Sequence, residues 1–217
     1  MFPKCATAED LVKAIREEEV QMIDLRFTDL PGVWQHFSVP PGAASIDALS
    51  EGIGFDGSSI RGFQEIYESD MLLLPDPSTA VVDPFYETPT ISLVCTVLDP
   101  ITREPYTRDP RYVAIKAEEH LRSSGVADVC YFGPEAEFYV FDHVAFDQQA
   151  NTAFYEVDSE EGHWTSGQGF QRRGEGLAAL GYTNRSQEGY FPAPPNDTLS
   201  DLRATMVIVQ EALGIRT

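Results

Sequence analysis

Basic side chains are scarce in this chain: 15 lysines and arginines stand against 35 aspartates and glutamates, a formal net charge of -20. Nucleic acid and anionic membrane are held through clustered Lys and Arg, so this deficit argues against both as partners. A strongly acidic surface gathers metal ions and ammonium-like cations instead, although most of its carboxylates need no partner but water. Cysteine is equally sparse. Cys5, Cys95 and Cys130 are odd in number and far apart, which fits reduced thiols better than a disulfide framework or a zinc site. Cys95 and Cys130 lie inside apolar runs and are expected in the core. No apolar run approaches the roughly 20 residues that cross a bilayer. The start, "MFPKCATAEDLVKAIREEEV", has a helix period and lacks the apolar stretch and small-residue cleavage site of a leader. The cytoplasm is the expected location. Internal repeats and low-complexity tracts are absent.

What the chain has is enough to fold: 217 residues, 42% hydrophobic and 11% aromatic, which suits one large domain or two small ones. A first helix is expected from about Ala8 to Glu19, with Leu11, Val12 and Ile15 inward. "QMIDLRFTDLPGVWQHFSVP" alternates, placing Met22, Asp24, Arg26 and Thr28 on one side and Ile23, Leu25 and Phe27 on the other. "DLPG" breaks the alternation, giving strand, turn, strand. "ASIDALSEG" predicts a short helix ending at Gly52. "DMLLLPDP", "TAVVDPF" and "TISLVCTVLDP" read as short strands. The result is a small α+β sheet domain, with "DPITREPYTRDP" as the expected boundary. Asp109 then caps a helix opened by Pro110 and running to Gly125. "DVCYFGPEAEFYVFDHVAFD" reads as a long strand or strand pair. The polar, glycine-rich residues from Gln148 to Gln187 read as a loop, and "TLSDLRATMVIVQEALG" as a last helix with Leu202, Met206, Val209 and Leu213 on one stripe. A helix followed by "IRT" resembles an αβ unit about to continue, so the second half reads as an unfinished sheet domain.

Two stretches carry candidate chemistry. "GFDGSSIRGF" has the glycines and serines of a phosphate loop, but Asp56 places a fixed negative charge where a phosphate would sit. A carboxylate with two hydroxyls suits a cation that must also be hydrogen-bonded, such as ammonium. The plainer alternative is a turn in which Asp56 caps its own backbone. In "GPEAEFYVFD", side chains alternate along a strand, so Glu135 and Glu137 share a face, about 6.6 Å apart along it. Two like charges so close are costly unless a cation lies between them. Oxygen-only ligands favour Mg²⁺ or Mn²⁺ over zinc. The alternatives are a wet strand face, or an acid–base pair of the glycosidase kind, for which no sugar-binding groove can be placed. Tyr139 and Phe141 share the glutamates' face, so this side is not uniformly polar.

"DLRFTDLPGVWQHFSVP", "FDGSSIRGFQEIYESDMLLLPDP", "YFGPEAEFYVFD" and "GYFPAPPNDTLSDLR" together, in that order, resemble the bacterial type I glutamine synthetases, particularly their actinobacterial branch. The likeness runs from about Leu11 to Gly214. It implies an N-terminal β-grasp domain, residues 1–104, followed at 105–217 by the beginning of a catalytic α/β domain built around an incomplete barrel. It implies ATP-dependent joining of ammonium to glutamate through a γ-glutamyl phosphate. It also implies a homo-oligomer, a dodecamer of two stacked hexameric rings with active sites between neighbouring subunits. By resemblance Glu135 and Glu137 are the metal-binding pair for Mg²⁺ or Mn²⁺, and Asp56 with Ser59 belongs to the loop that reaches the adjacent subunit's active site.

The sequence departs from the family in several places. None of His36, His120, His143 and His163 matches the family's metal-binding histidine, and His120 reads as a surface residue. Glu188 stands where a basic residue often does, and no residue is assigned to ATP. With two carboxylates and no phosphate clamp, this stretch alone is expected to be inactive, as a fragment, a truncated product or a piece of a split enzyme. Two other readings stay open: a non-catalytic oligomerisation or regulatory module, and a γ-glutamyl ligase acting on another amine. Asp56 and Ser59 favour ammonia over the second.

Overall fold

The structure is a computed structural model and describes residues 2–164, 181–185 and 187–216. Two compact units divide the chain, Met1–Phe132 and Gly133–Thr217.

The first unit opens with α1, Ala8–Glu17. The helix starts where it does because Thr7 and Asp10 cap each other: the Asp10 amide donates to Thr7 Oγ1 at 3.2 Å and the Thr7 amide to Asp10 Oδ2 at 3.2 Å. β1 (Met22–Thr28) and β2 (Trp34–Val39) form the expected hairpin, and Gly32, at φ +91°, closes its turn. α2 (Ile46–Glu51) ends at Gly52, whose φ of +98° favours glycine. β3 (Ile53–Asp56), β4 (Asp70–Pro75), β5 (Val81–Val82) and β6 (Thr90–Leu98) complete the sheet. Its order is β2-β1-β6-β4-β3, with β5 beside β6. β1 and β6 run parallel, with Ile23 opposite Ile91, and every other pairing is antiparallel.

Alternation along β1 decides what is buried. Ile23, Leu25 and Phe27 point into a cluster with Ile91, Leu93, Cys95 and Val97 of β6, Met71 and Leu73 of β4, and Leu11, Ala14 and Ile15 of α1. Val12, expected beside them, is only half-buried. An apolar sheet face covered by a helix removes most of this surface from water, the main stabilising term of a small domain. α3, Pro110–Ser123, follows, with the Asp109 carboxylate accepting from the Arg111 amide at 2.9 Å as its cap. His120 is exposed on it, as expected.

The second unit contains the hairpin β7 (His143–Gln148) and β8 (Ala153–Asp158), and α4 (Ser200–Ala212). Glu161 ties the hairpin to the start of α4, its Oε1 accepting from the Thr198 amide at 2.6 Å and from Thr198 Oγ1 at 2.8 Å. β8 corrects the reading of Gln148 onward as loop; residues 165–180 and 186 of that stretch lie outside the described residues. The long strand or strand pair expected over residues 128–147 is corrected over its first part. Only His143 onward forms a ladder, because the earlier residues have no hydrogen-bonding neighbour strand among the described residues. Of the α4 stripe, Val209 and Leu213 are half-buried and Leu202 and Met206 exposed.

The cysteines follow from this packing. Cys95 is buried in β6, where burial pushes its thiol up to about 12, and Cys5 is buried with its thiol raised by the same cause. Cys130 is exposed, contrary to the expectation that it is a core residue, because it lies in the unladdered run. A chromogenic disulfide reagent at pH 8 is therefore expected to titrate Cys130 rapidly and Cys95 only after denaturant is added. Rapid reaction of Cys95 in the native protein would contradict the packing of β6.

Candidate functional site

β3 is an edge strand, and the loop of interest starts at its last residue. Asp56 pairs with Asp70 across the β3–β4 ladder, then caps a single 3₁₀ turn at Gly57–Ser59. Its Oδ1 accepts from the Ser58 amide at 2.9 Å and from Ser58 Oγ at 2.6 Å, and its Oδ2 from Ser59 Oγ at 3.1 Å. Hydrogen bonds that favour the charged form, first from the Ser58 hydroxyl, hold the Asp56 carboxyl below the usual carboxylate range. Asp56 and Ser59 are exposed while Gly57 between them is buried. A Cβ at Gly57 would stand 2.4 Å from Met71 Sδ and 3.2 Å from Ser69 O, so only glycine lets the turn lie this close to β4. The backbone-capping turn is thus present, and it leaves a carboxylate facing solvent with two hydroxyls hydrogen-bonded to it.

Glu135 and Glu137 lie in the second unit, in the run that forms no ladder. Both are exposed, and neither has an ion-pair or hydrogen-bond partner among the described residues. The rings of Tyr139 and Phe141 lie 5.8 Å apart and nearly parallel, at 15°, as next-but-one side chains of an extended chain do. Among the described residues no group of three or more Asp, Glu, His or Cys side chains is arranged to hold a metal ion. Two carboxylates are the right donor chemistry for a hard divalent cation, which takes six or more oxygens in all. This pair would supply part of such a shell.

One cluster of charged residues was not singled out from the sequence. Asp24, on the polar side of β1, is fully buried. It receives Arg26 Nε at 2.7 Å, His36 Nδ1 at 2.6 Å and Ser38 Oγ at 2.9 Å, while Arg26 Nη2 reaches Asp83 Oδ2 at 2.6 Å and Ser92 Oγ donates to the same oxygen at 3.2 Å. These residues are cross-strand neighbours on β2, β1 and β6, with Asp83 just beyond β5. Burial alone would raise Asp24, but the bonds from His36, Arg26 and Ser38 outweigh it and hold this carboxyl below its ordinary range. The signal available beforehand was the match of Asp24 with Ser38 and of Arg26 with His36 once the hairpin register is drawn.

A mixed sheet that packs against a helix, with one central parallel pairing, is the β-grasp arrangement. Residues 19–100 match the family described as "Glutamine synthetase, beta-Grasp domain", and residues 107–217 match "Glutamine synthetase, catalytic domain". The chain belongs to the glutamine synthetase family. It is 53% identical over 200 residues to the glutamine synthetase of Mycolicibacterium smegmatis, covering 92% of this chain and 41% of that one. It is 51% identical over 215 residues to that of Frankia alni, covering 99% of this chain and 44% of that one. The chain thus spans less than half the length of these relatives. A solved Plasmodium falciparum glutamine synthetase has the same fold, with a TM-score of 0.83 at 18% identity over 99% of this chain and 41% of its own. The α+β class and the β-grasp domain followed by the start of a catalytic domain stand as expected. No helix among the described residues is long and apolar enough to cross a membrane.

Proposed function

We propose that this chain is the N-terminal part of an ATP-dependent glutamate–ammonia ligase, with domains at 1–104 and 105–217, working in the cytoplasm as a homo-oligomer of the dodecameric kind. The observation that carries the reading is the exposed Asp56–Ser58–Ser59 cluster, standing in a β-grasp segment that relatives named glutamine synthetase match at about half identity.

In the proposed reaction the γ-carboxylate of glutamate takes the terminal phosphoryl group of ATP and ADP leaves. Ammonia then attacks the acyl phosphate carbon, phosphate departs, and the amide remains. Ammonium has to be captured and has to lose one proton before its nitrogen lone pair can attack. Asp56 suits the first task better than the second. A carboxyl held below its usual range attracts a cation strongly and keeps a proton poorly, so it lowers the local energy of ammonium and hands the proton on toward water. Ser58 and Ser59 already orient the carboxylate, and their hydroxyl oxygens remain acceptors. Glu135 and Glu137 would help hold Mg²⁺ or Mn²⁺, which when bound neutralises charge on the transferring phosphoryl group.

Asp56→Asn in the complete enzyme tests this. The isosteric amide keeps the turn and removes the charge, so the KM for ammonium is expected to rise by about tenfold or more, with the KM values for glutamate and ATP little changed. An unaltered ammonium KM would remove Asp56 from the site. Replacing ammonium by methylamine and by a diamine in the same assay separates an ammonia ligase from a ligase for another amine.

A further inference from the structure

The segment joining β6 to α3 has no place in the chemistry proposed above, yet it is bonded to the back of the Asp56 loop. Tyr106 Oη donates to the Phe63 carbonyl at 2.6 Å. Arg108 Nη1 donates to the same carbonyl at 2.8 Å and to that of Gly62 at 3.0 Å. The three bonds converge on the C-terminal end of the loop that starts at Asp56, and they are made to backbone oxygens, so they constrain where the loop runs. Phe63 is almost fully buried, its ring 5.2 Å from that of Tyr106, edge on, and 6.0 Å from that of Phe27 in β1.

The clamp is itself anchored. The Tyr106 amide donates to the Val97 carbonyl at 2.8 Å, and the fully buried Asp109 carboxylate accepts from the Val97 amide at 3.0 Å, so both ends of the segment are fastened to one residue of β6. On the other side, the Gly57 amide donates to Ser69 O at 2.6 Å and the loop's own Phe63 amide to Ile60 O at 3.1 Å. The bonds to β4 and to the Tyr106–Arg108 segment lie at the two ends of the loop, and Ile60 packs against the core between them. Ser59 and Arg61 are exposed, and Arg61 makes no ion pair among the described residues.

We propose that Tyr106 and Arg108 are positioning residues for the Asp56–Ser59 loop, holding it at the sheet edge in the conformation that presents its carboxylate. The inference rests on the reading of Asp56 as the ammonium-binding group. A clamp of this kind sets the loop's location before substrate arrives, so that binding does not have to order it. Because the bonds come from the segment leading into α3, they also make the loop's geometry depend on the start of the catalytic part of the chain.

Arg108→Met keeps the aliphatic stem and removes the donors, Tyr106→Phe removes one hydroxyl, and Thr107→Ala, an exposed neighbour, is the control. In the complete enzyme Arg108→Met is expected to raise the ammonium KM by about tenfold while the KM values for glutamate and ATP stay within about twofold. Tyr106→Phe should do the same more weakly, Arg108→Lys should recover part of the loss, and Thr107→Ala should change nothing. Adding Arg108→Met to Asp56→Asn should cause little further loss, since both act on one interaction. A second readout needs no activity: trypsin should cut the Arg61–Gly62 bond about tenfold faster in Arg108→Met, because the loop opens more often. An ammonium KM unchanged by Arg108→Met but raised by Asp56→Asn overturns the clamp and leaves the proposed function standing. No effect of Asp56→Asn removes Asp56 from the site, and overturns the clamp's role with it. Unaltered cleavage at Arg61 also overturns the clamp.

Discussion

Asp24→Ala is expected to destabilise the first unit by about 3 kcal/mol, read as a fall in the midpoint of a urea melt followed by tryptophan fluorescence. Removing one partner of a buried ionic cluster leaves the others without their counter-charge, which costs far more than the cluster's own net contribution. The lower end of the usual range applies because Arg26 and His36 reach solvent, at 33% and 54% exposure, and water can take over part of what Asp24 supplied. Set against the 5–15 kcal/mol that holds a typical domain together, the loss is large. A midpoint shift worth less than about 1 kcal/mol would show that water does nearly all of that work.

The same residue fixes a pH dependence. Asp24 in the folded protein lies below its unfolded value, because bonds from His36, Arg26 and Ser38 outweigh burial. Its contribution is therefore complete above the unfolded carboxyl value near about 3.9 and is lost as pH falls through the folded one. Asp109 acts with the opposite sign: burial raises it, so its ionisation costs stability as pH climbs through its unfolded value. The difference in acid sensitivity between the wild type and Asp24→Asn isolates the first effect.

The second large effect is catalytic. In the complete enzyme Glu135→Gln and Glu137→Gln are each expected to reduce metal-dependent phosphate release by a factor on the order of 100 or more, since an amide binds a hard cation far more weakly than a carboxylate. The loss should be partly recovered by raising Mn²⁺ in a single variant and not in the double. Both residues are exposed and free of other partners among the described residues, so neither change should move the unfolding midpoint. Activity that survives both substitutions would refute the metal assignment.

Local pattern made much of the first unit legible. The alternation of β1 and the Leu11, Val12, Ile15 stripe of α1 depend on residues a few positions apart, and both elements formed close to where they were expected. β3 escaped notice because it has four residues including Gly54, too few for a period to show. The burial of Asp24 was hidden for another reason: alternation says which face a side chain takes, while His36, Ser38 and Ser92, which cover that face, come from other strands. The run around Glu135 failed in the reverse direction. Its apolar alternation is strand-like, but a strand exists only when another one accepts its hydrogen bonds. The Tyr106–Arg108 clamp was invisible because a segment rich in proline and charge looks like a mere boundary.

The parallel pairing of Ile23 with Ile91 has a bearing on biogenesis. β1 can pair with its hairpin mate as soon as both are made, yet its other neighbour is the last strand of the unit to be made. Until Thr90–Leu98 has been synthesised, the β1–β2 hairpin and the β3–β4 pair have nothing to join them, and the apolar face of α1 has half a sheet to rest on. Closing so long a loop is slow compared with local helix and hairpin formation. The apolar face that α1 and β1 share thus stays partly uncovered until the last strand of the unit arrives to close it.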